Sequence, residues 1–205
     1  MGVKWAHRTH PESLRDRGSG RNRNRRVSTA GLDGRFVNSY SGPGPQRLEG
    51  NESMSVQVGT TAPDFELGSH RGDKVRLSRF RGRKHVVIAF HPLAFTPVCA
   101  TQMRNYEADQ TWFGAHDTHV LGISVDSVPA KIEWAKTLDG VTYDLLSDFH
   151  PHGGVAQAYG VLRDDGISER AVFVVDKSGR VVFAKVYDIP TLPDNAEVRQ
   201  AIEAI

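Results

Sequence analysis

The chain has 205 residues, 39% hydrophobic and 24% charged, which suits one domain with a real core and perhaps an appended segment rather than several domains. No run approaches the roughly 18 apolar residues of a membrane span, and a single cysteine, Cys99, excludes a disulfide-stapled secreted scaffold and suits a reducing, cytoplasmic setting. The net charge of +2 hides an asymmetry: residues 1–53 hold 10 Lys and Arg against 5 Asp and Glu, whereas residues 54–205 hold 16 against 19.

Residues 1–53 are rich in Arg, Gly, Asn and Ser, and the stretch Gly18 to Arg26 offers almost nothing to bury. Folding such a segment costs more conformational entropy than it recovers, so it is expected to be a disordered basic extension. No apolar core of a secretory signal follows the first charges, and Glu12, Asp16 and Asp33 interrupt any transit-peptide pattern. Met54 opens a self-contained globular pattern, which marks it as the expected true start. A basic arm could hold nucleic acid through phosphates, but composition alone carries that reading and no specific nucleic-acid function is expected from it.

From Met54 onward the pattern is that of an α/β domain. His85–Phe90 and Val120–Val125 are continuous apolar runs, as in strands covered on both faces. Between them the spacing predicts a helix over Pro97–Phe113, with Cys99, Met103, Tyr106 and Phe113 on one stripe. Strand, helix, strand implies a right-handed crossover and a parallel pair. A further helix places Val128, Ile132 and Ala135 on one face. Ala171–Val175 reads as a third core strand, turning at Asp176-Lys177-Ser178-Gly179 into Val181–Phe183 as an antiparallel hairpin. Glu197–Ile205 closes the chain as a helix. The order implies a thioredoxin-like fold, a central mixed sheet flanked by helices.

The chemistry-bearing stretch is Pro92-Leu93-Ala94-Phe95-Thr96-Pro97-Val98-Cys99, between the first core strand and the long helix. Thr96 is a good N-cap and Pro97 suits the first helical position, which puts Cys99 in the first turn. Backbone N–H groups there lack intrahelical partners and the helix dipole favours negative charge, so a thiolate, the nucleophilic form, is stabilised. The competing reading is a buried packing cysteine, because Cys99 lies on the apolar stripe of its helix.

Pro92, Thr96 and Cys99 in the spacing Pro-x-x-x-Thr-x-x-Cys resemble the peroxiredoxin signature. Ala62–Leu67, Phe90-His91-Pro92, Leu145–Asp148, Ala156–Val161 and Arg170–Asp176 resemble further segments of that family, above all its one-cysteine alkyl hydroperoxide reductase E type. The resemblance implies a peroxidase in which Cys99 attacks the terminal peroxide oxygen and becomes a sulfenic acid. It assigns Thr96 and Arg170 to holding the peroxide and the thiolate, with Arg163 as the weaker substitute, and Pro92 to shielding the sulfur. Val98, Gln102 and His91 would line or order the substrate site. Leu93, Ala94 and Phe95 would supply an apolar wall.

No cofactor is implied, and His150-Pro151-His152 is too small a cluster to imply a metal. No Cys-x-x-Cys and no resolving cysteine are present, so turnover would need an external thiol or redoxin as reductant. The resemblance further implies a homodimer. Two other readings use the same sequence: a catalytically idle thioredoxin-like binding module, and a peroxide sensor or chaperone exploiting the same sulfenic acid.

Overall fold

The computed structural model describes residues 56–205. The expectations of a disordered extension over residues 1–53 and of a start at Met54 lie outside the described residues. The described part carries one sheet of seven strands. These are β1 (Glu66–Ser69), β2 (Lys74–Arg76), β3 (His85–Phe90), β4 (Thr118–Ser124), β5 (Asp144–Ser147), β6 (Arg170–Val175) and β7 (Val181–Tyr187), in the spatial order β2-β1-β5-β4-β3-β6-β7. β3, β4 and β5 run parallel, and the outer neighbours pair antiparallel. This is the mixed thioredoxin-like sheet expected from the element order.

Alternation along the strands sorts side chains onto two faces. In β6, Ala171, Phe173 and Val175 join Val86, Ile88 and Phe90 of β3 in one core layer, with Phe65, Leu67, Phe80 and Tyr159. Val172 and Val174 join Val87 and Ala89 in the other layer, under Cys99, Met103, Tyr106, Phe113 and Trp134. Five helices cover these faces: α1 (Pro97–Ala108), α2 (Gln110–Ala115), α3 (Val128–Thr137), α4 (Gly154–Ala158) and α5 (Asn195–Glu203). At Gly122 of β4 a Cβ would lie 2.9 Å from both Met103 Sδ and Leu145 Cδ2, so glycine lets α1 settle directly onto the sheet.

Two details differ from the sequence expectations. The helix expected over Pro97–Phe113 breaks at Asp109, which ends α1 and begins α2. Its carboxylate accepts hydrogen bonds from Asn195 (2.7 Å) and Arg199 of α5, so the break is an anchor for the last helix. In α3 the buried face is Lys131, Trp134 and Ala135, while Ile132 is 36% exposed. The indole is the largest apolar surface on that helix, and burying it sets the rotation. Gly153, at φ 64°, precedes α4, and the N–H groups of Val155 and Ala156 in its first turn donate to the Asp148 carboxylate.

Candidate active site

Cys99 occupies the third position of α1. Thr96 is the N-cap in extended geometry (φ −95°, ψ 145°) and Pro97 is the first helical residue. The Thr96 hydroxyl does not cap the helix. It donates instead to the Leu93 carbonyl at 2.9 Å, folding the loop back on itself. The first helical bond runs from the Ala100 N–H to the Thr96 carbonyl at 2.9 Å. The N–H groups of Val98 and Cys99 precede it and have no intrahelical acceptor, so they face the position where negative charge would reside. The thiol side chain is fully buried.

Arg170 reaches the sulfur from the opposite side. It is the first residue of β6, and strand alternation puts it on the same face as Val172 and Val174, the face that carries α1. At 2% exposure its guanidinium is out of water. Its three nitrogens are each used: Nε donates to the Ile189 carbonyl at 2.9 Å, Nη1 to Gln102 Oε1 at 2.7 Å, and Nη2 to Cys99 Sγ at 3.5 Å. Among the described residues it meets no carboxylate. A buried cation without a carboxylate is costly, and its natural counter-charge here is a thiolate. Gln102, one turn after Cys99 and buried, orients the guanidinium.

The loop between β3 and α1 is pinned from below. Pro92 and Ala94 are buried, whereas Leu93 and Phe95 are exposed and Phe95 holds φ 61°. The Ala94 N–H donates to Asp126 Oδ2 at 2.9 Å, an oxygen that also accepts from Ser124 Oγ at 2.5 Å. His91 is buried, with its N–H on the Ile123 carbonyl and its own carbonyl accepting from Ser168 Oγ at 2.8 Å. Its Nε2 lies 2.8 Å from Lys131 Nζ. Burial, then the charges of Lys131 and Arg170, push His91 well below the usual histidine range, so the ring is neutral. Burial also brings the Lys131 ammonium down to about 7, against the opposing pull of Asp126 and Cys99.

Of the residues singled out from sequence, Cys99, Gln102 and Arg170 form one hydrogen-bonded group, with Thr96 in the same turn. Val98 is half-buried beside them. Pro92 lies inside the loop. His91 turns to Lys131 and away from the sulfur. The wall expected from Leu93, Ala94 and Phe95 is split, since only Ala94 packs inward. Arg163 is engaged with Asp165 and Glu169 and does not substitute for Arg170. His152 Nε2 lies 2.6 Å from the Gly166 carbonyl, and among the described residues no group of three or more metal-ligating side chains comes together. Lys131, Asp126, Ser168 and the Ile189 carbonyl escaped sequence reasoning. One signal was present: Lys131, Trp134, Ala135 and Leu138 share helical spacing, which puts a lysine on an apolar stripe.

The AhpC/TSA family model matches residues 58–184. Alkyl hydroperoxide reductase E of Mycobacterium tuberculosis is 44% identical over 132 residues, covering 64% of this chain and 86% of that protein. The chloroplastic 2-Cys peroxiredoxin BAS1 of Spinacia oleracea is 33% identical over 158 residues, covering 72% and 59%. Among solved structures, reduced 2-Cys peroxiredoxin of Plasmodium vivax superposes with a TM-score of 0.67 at 30% identity, covering 72% of this chain and 80% of that one. Peroxidoxin BcpB of Mycobacterium tuberculosis superposes with a TM-score of 0.65 at 28% identity, covering 73% and 98%.

Proposed function

Because the chain belongs to the AhpC/TSA family, we propose for it the chemistry of that family: reduction of hydroperoxides with electrons from a thiol, Cys99 being the nucleophile. The observation that carries the assignment is the Arg170 guanidinium at 3.5 Å from Cys99 Sγ, buried and, among the described residues, without a carboxylate. A structural cysteine needs no such neighbour, and a buried arginine needs an anion.

The Cys99 thiolate attacks the terminal oxygen of the hydroperoxide. The S–O bond forms as the O–O bond breaks, and the departing oxygen takes a proton to leave as alcohol or water. Charge moves from sulfur onto the oxygens, and in this reading the Arg170 guanidinium and the Cys99 N–H donate to it. Because the Thr96 hydrogen is held by Leu93, its oxygen is free to accept the peroxide hydrogen. Gln102 keeps the guanidinium fork in plane, and Pro92 keeps water from the sulfur. The peroxide enters past half-buried Thr96 and Val98, and His91 supports the loop from behind.

With one cysteine in the chain, the sulfenic acid has no internal sulfur to condense with. An external thiol or redoxin attacks it, releasing water, and a second thiol exchange restores Cys99. A cytoplasmic homodimer is the state we propose, with exposed Leu93 and Phe95 at the contact. Among the described residues no helix is long and apolar enough to cross a membrane.

The test is to mix reduced protein with one equivalent of peroxide and follow Cys99 by stopped flow and intact mass, with Thr96→Val and Arg170→Ala alongside. The expected result is a single-oxygen adduct formed far faster than on free cysteine, with large losses in both variants. A rate like that of free cysteine, unchanged by either substitution, would remove the assignment.

A further inference from the structure

The two ends of β3 are chemically unlike. Cys99 follows its C-terminal end. At the other end, where β3 and β4 begin, Arg79, Phe80, Arg83, Lys84 and His119 line a concavity of about 370 Å³, a size typical of small-molecule sites. A strand of six residues puts about 20 Å between the two ends. Four of the five lining side chains are basic and none is acidic. Walls of one sign focus the field inside a concavity, and crowding like charge costs energy that a bound anion returns.

The backbone fixes the basic side chains in place. A 3-10 turn, Leu77–Phe80, buries Leu77 and Phe80 and leaves Arg79 outside. Beyond it the N–H groups of Arg83 and Lys84 both donate to the Phe80 carbonyl, at 3.0 and 2.9 Å, and the N–H of Gly82 donates to the Lys177 carbonyl at 2.7 Å. Gly82 holds φ 70°, which suits glycine. The exposed side chains of Arg83 and Lys84 are thus not needed to hold the turn, and among the described residues neither forms an ion pair or a side-chain hydrogen bond. Asp117, whose charge Lys84 feels, is bonded to Lys177 at 2.9 Å. Arg79 lies 5.0 Å from the Phe80 ring centroid and touches the Lys74 carbonyl at 3.5 Å and Asp73 at 3.9 Å, an exposed pairing that holds it only weakly.

His119 is anchored from behind. Its Nε2 donates to Asp144 Oδ2 at 2.8 Å, and its ring stacks on Phe80 with centroids 4.9 Å apart. Asp144 is buried, accepts from Ser69 Oγ at 3.2 Å and lies 3.7 Å from Arg71 Nε. Burial pushes its carboxyl up, but His119, Ser69 and Arg71 together hold it below the ordinary carboxylate range. A carboxylate only accepts, so Nε2 carries the proton. Nδ1, with no partner among the described residues, is the remaining polar atom of the ring. We propose that this concavity binds a compact soluble ligand carrying two or more phosphate groups. Arg79 and Arg83 offer planar forks that match phosphate oxygens, Lys84 adds a point charge, and Asp144 fixes the direction of the His119 ring. Three positive side chains call for a ligand with more than one negative charge. The site is separate from Cys99 and does not rest on the peroxidase reading.

The test is calorimetric titration of the full chain with inorganic pyrophosphate at low ionic strength. A saturable site is expected, roughly tenfold weaker in Arg83→Ala and in Lys84→Ala. Arg83→Lys keeps the charge and loses the fork, so it is expected to recover little. Equal binding by Arg83→Lys would reduce the site to a diffuse basic surface and overturn the proposal. Residues 1–53 are themselves basic, so binding that no substitution changes belongs elsewhere and overturns it too, as does the lack of any saturable binding. Alkylation of Cys99 by iodoacetamide, expected to be the same in all variants, checks that they are folded. A second measurement needs no variant. The ring nitrogen resonances of His119 are expected to shift on adding pyrophosphate and to stay in place on adding chloride at equal ionic strength. Unmoved resonances, or the same response to both salts, would overturn the assignment.

Discussion

Replacing Lys131 by methionine is expected to raise the stability of the fold at neutral pH. Methionine keeps the length of the side chain and its contact with Trp134, and removes only the charged end. The lysine ammonium falls from 10.5 in the open chain to about 7 in the folded one, chiefly through burial. At about 1.4 kcal/mol per pH unit this is a penalty of about 5 kcal/mol, fully present below pH 7, where both states carry the proton. Between about 7 and 10.5 the unfolded chain holds a proton that the folded chain lacks, so stability rises with pH. Above 10.5 both are neutral and the penalty is gone. Against this gain, His91 Nε2 loses its donor, at about 1–3 kcal/mol. The net expectation is a variant more stable by about 2–4 kcal/mol near neutral pH. The assay is urea unfolding of both proteins from neutral pH to about pH 9, and the gap is expected to shrink by about 2 kcal/mol over that range. Buried Tyr106, Tyr159 and Tyr187 are held above the ordinary tyrosine range, so they remain protonated and cancel between the two proteins. A variant less stable at neutral pH, or a gap that does not change with pH, would refute the description of Lys131 as a desolvated cation.

Other consequences are simpler. Arg170→Met is expected to slow oxidation of Cys99 by about 10²–10³, the usual cost of one aligned donor at a developing charge, as read by stopped flow. Arg170→Lys should recover little of that, because an ammonium cannot reach Ile189, Gln102 and Cys99 at once as the planar fork does. Gly122→Ala forces a methyl against Met103 and Leu145 under α1, and thermal unfolding should show a loss of about 1–3 kcal/mol. Asp148→Ala removes the acceptor for the first N–H groups of α4 and should lower urea stability by about 1–2 kcal/mol with little change in the reactivity of Cys99.

The central strands were legible because two-sided burial leaves continuous apolar runs: β3 and β6 fall where His85–Phe90 and Ala171–Val175 stand out. β1 and β2 did not stand out. They are 4 and 3 residues long, and only β2 lies at the sheet edge, so each is too short for a periodic signal to accumulate. The turn of α1 at Cys99 could be placed from Thr96 and Pro97 alone, whereas the direction of the Thr96 hydroxyl could not, since it depends on where the loop returns the Leu93 carbonyl. The break at Asp109 is invisible locally because its cause lies in α5. Likewise the aliphatic residues of α3 point to the face of Val128, Ile132 and Ala135, whereas the buried stripe is the one that Lys131 shares with Trp134.

The sulfur and its guanidinium are separated by 71 positions in the chain and meet only across the β3–β6 pairing. During synthesis the cysteine leaves the ribosome long before its arginine does. An unfinished chain carries an ordinary thiol, one that oxidants and alkylating agents attack slowly. On the proposed function, reactivity would switch on when β6 docks, so completion of the fold would itself be the activating event, and a nascent or unfolded copy would be spared the over-oxidation that a reactive thiol risks.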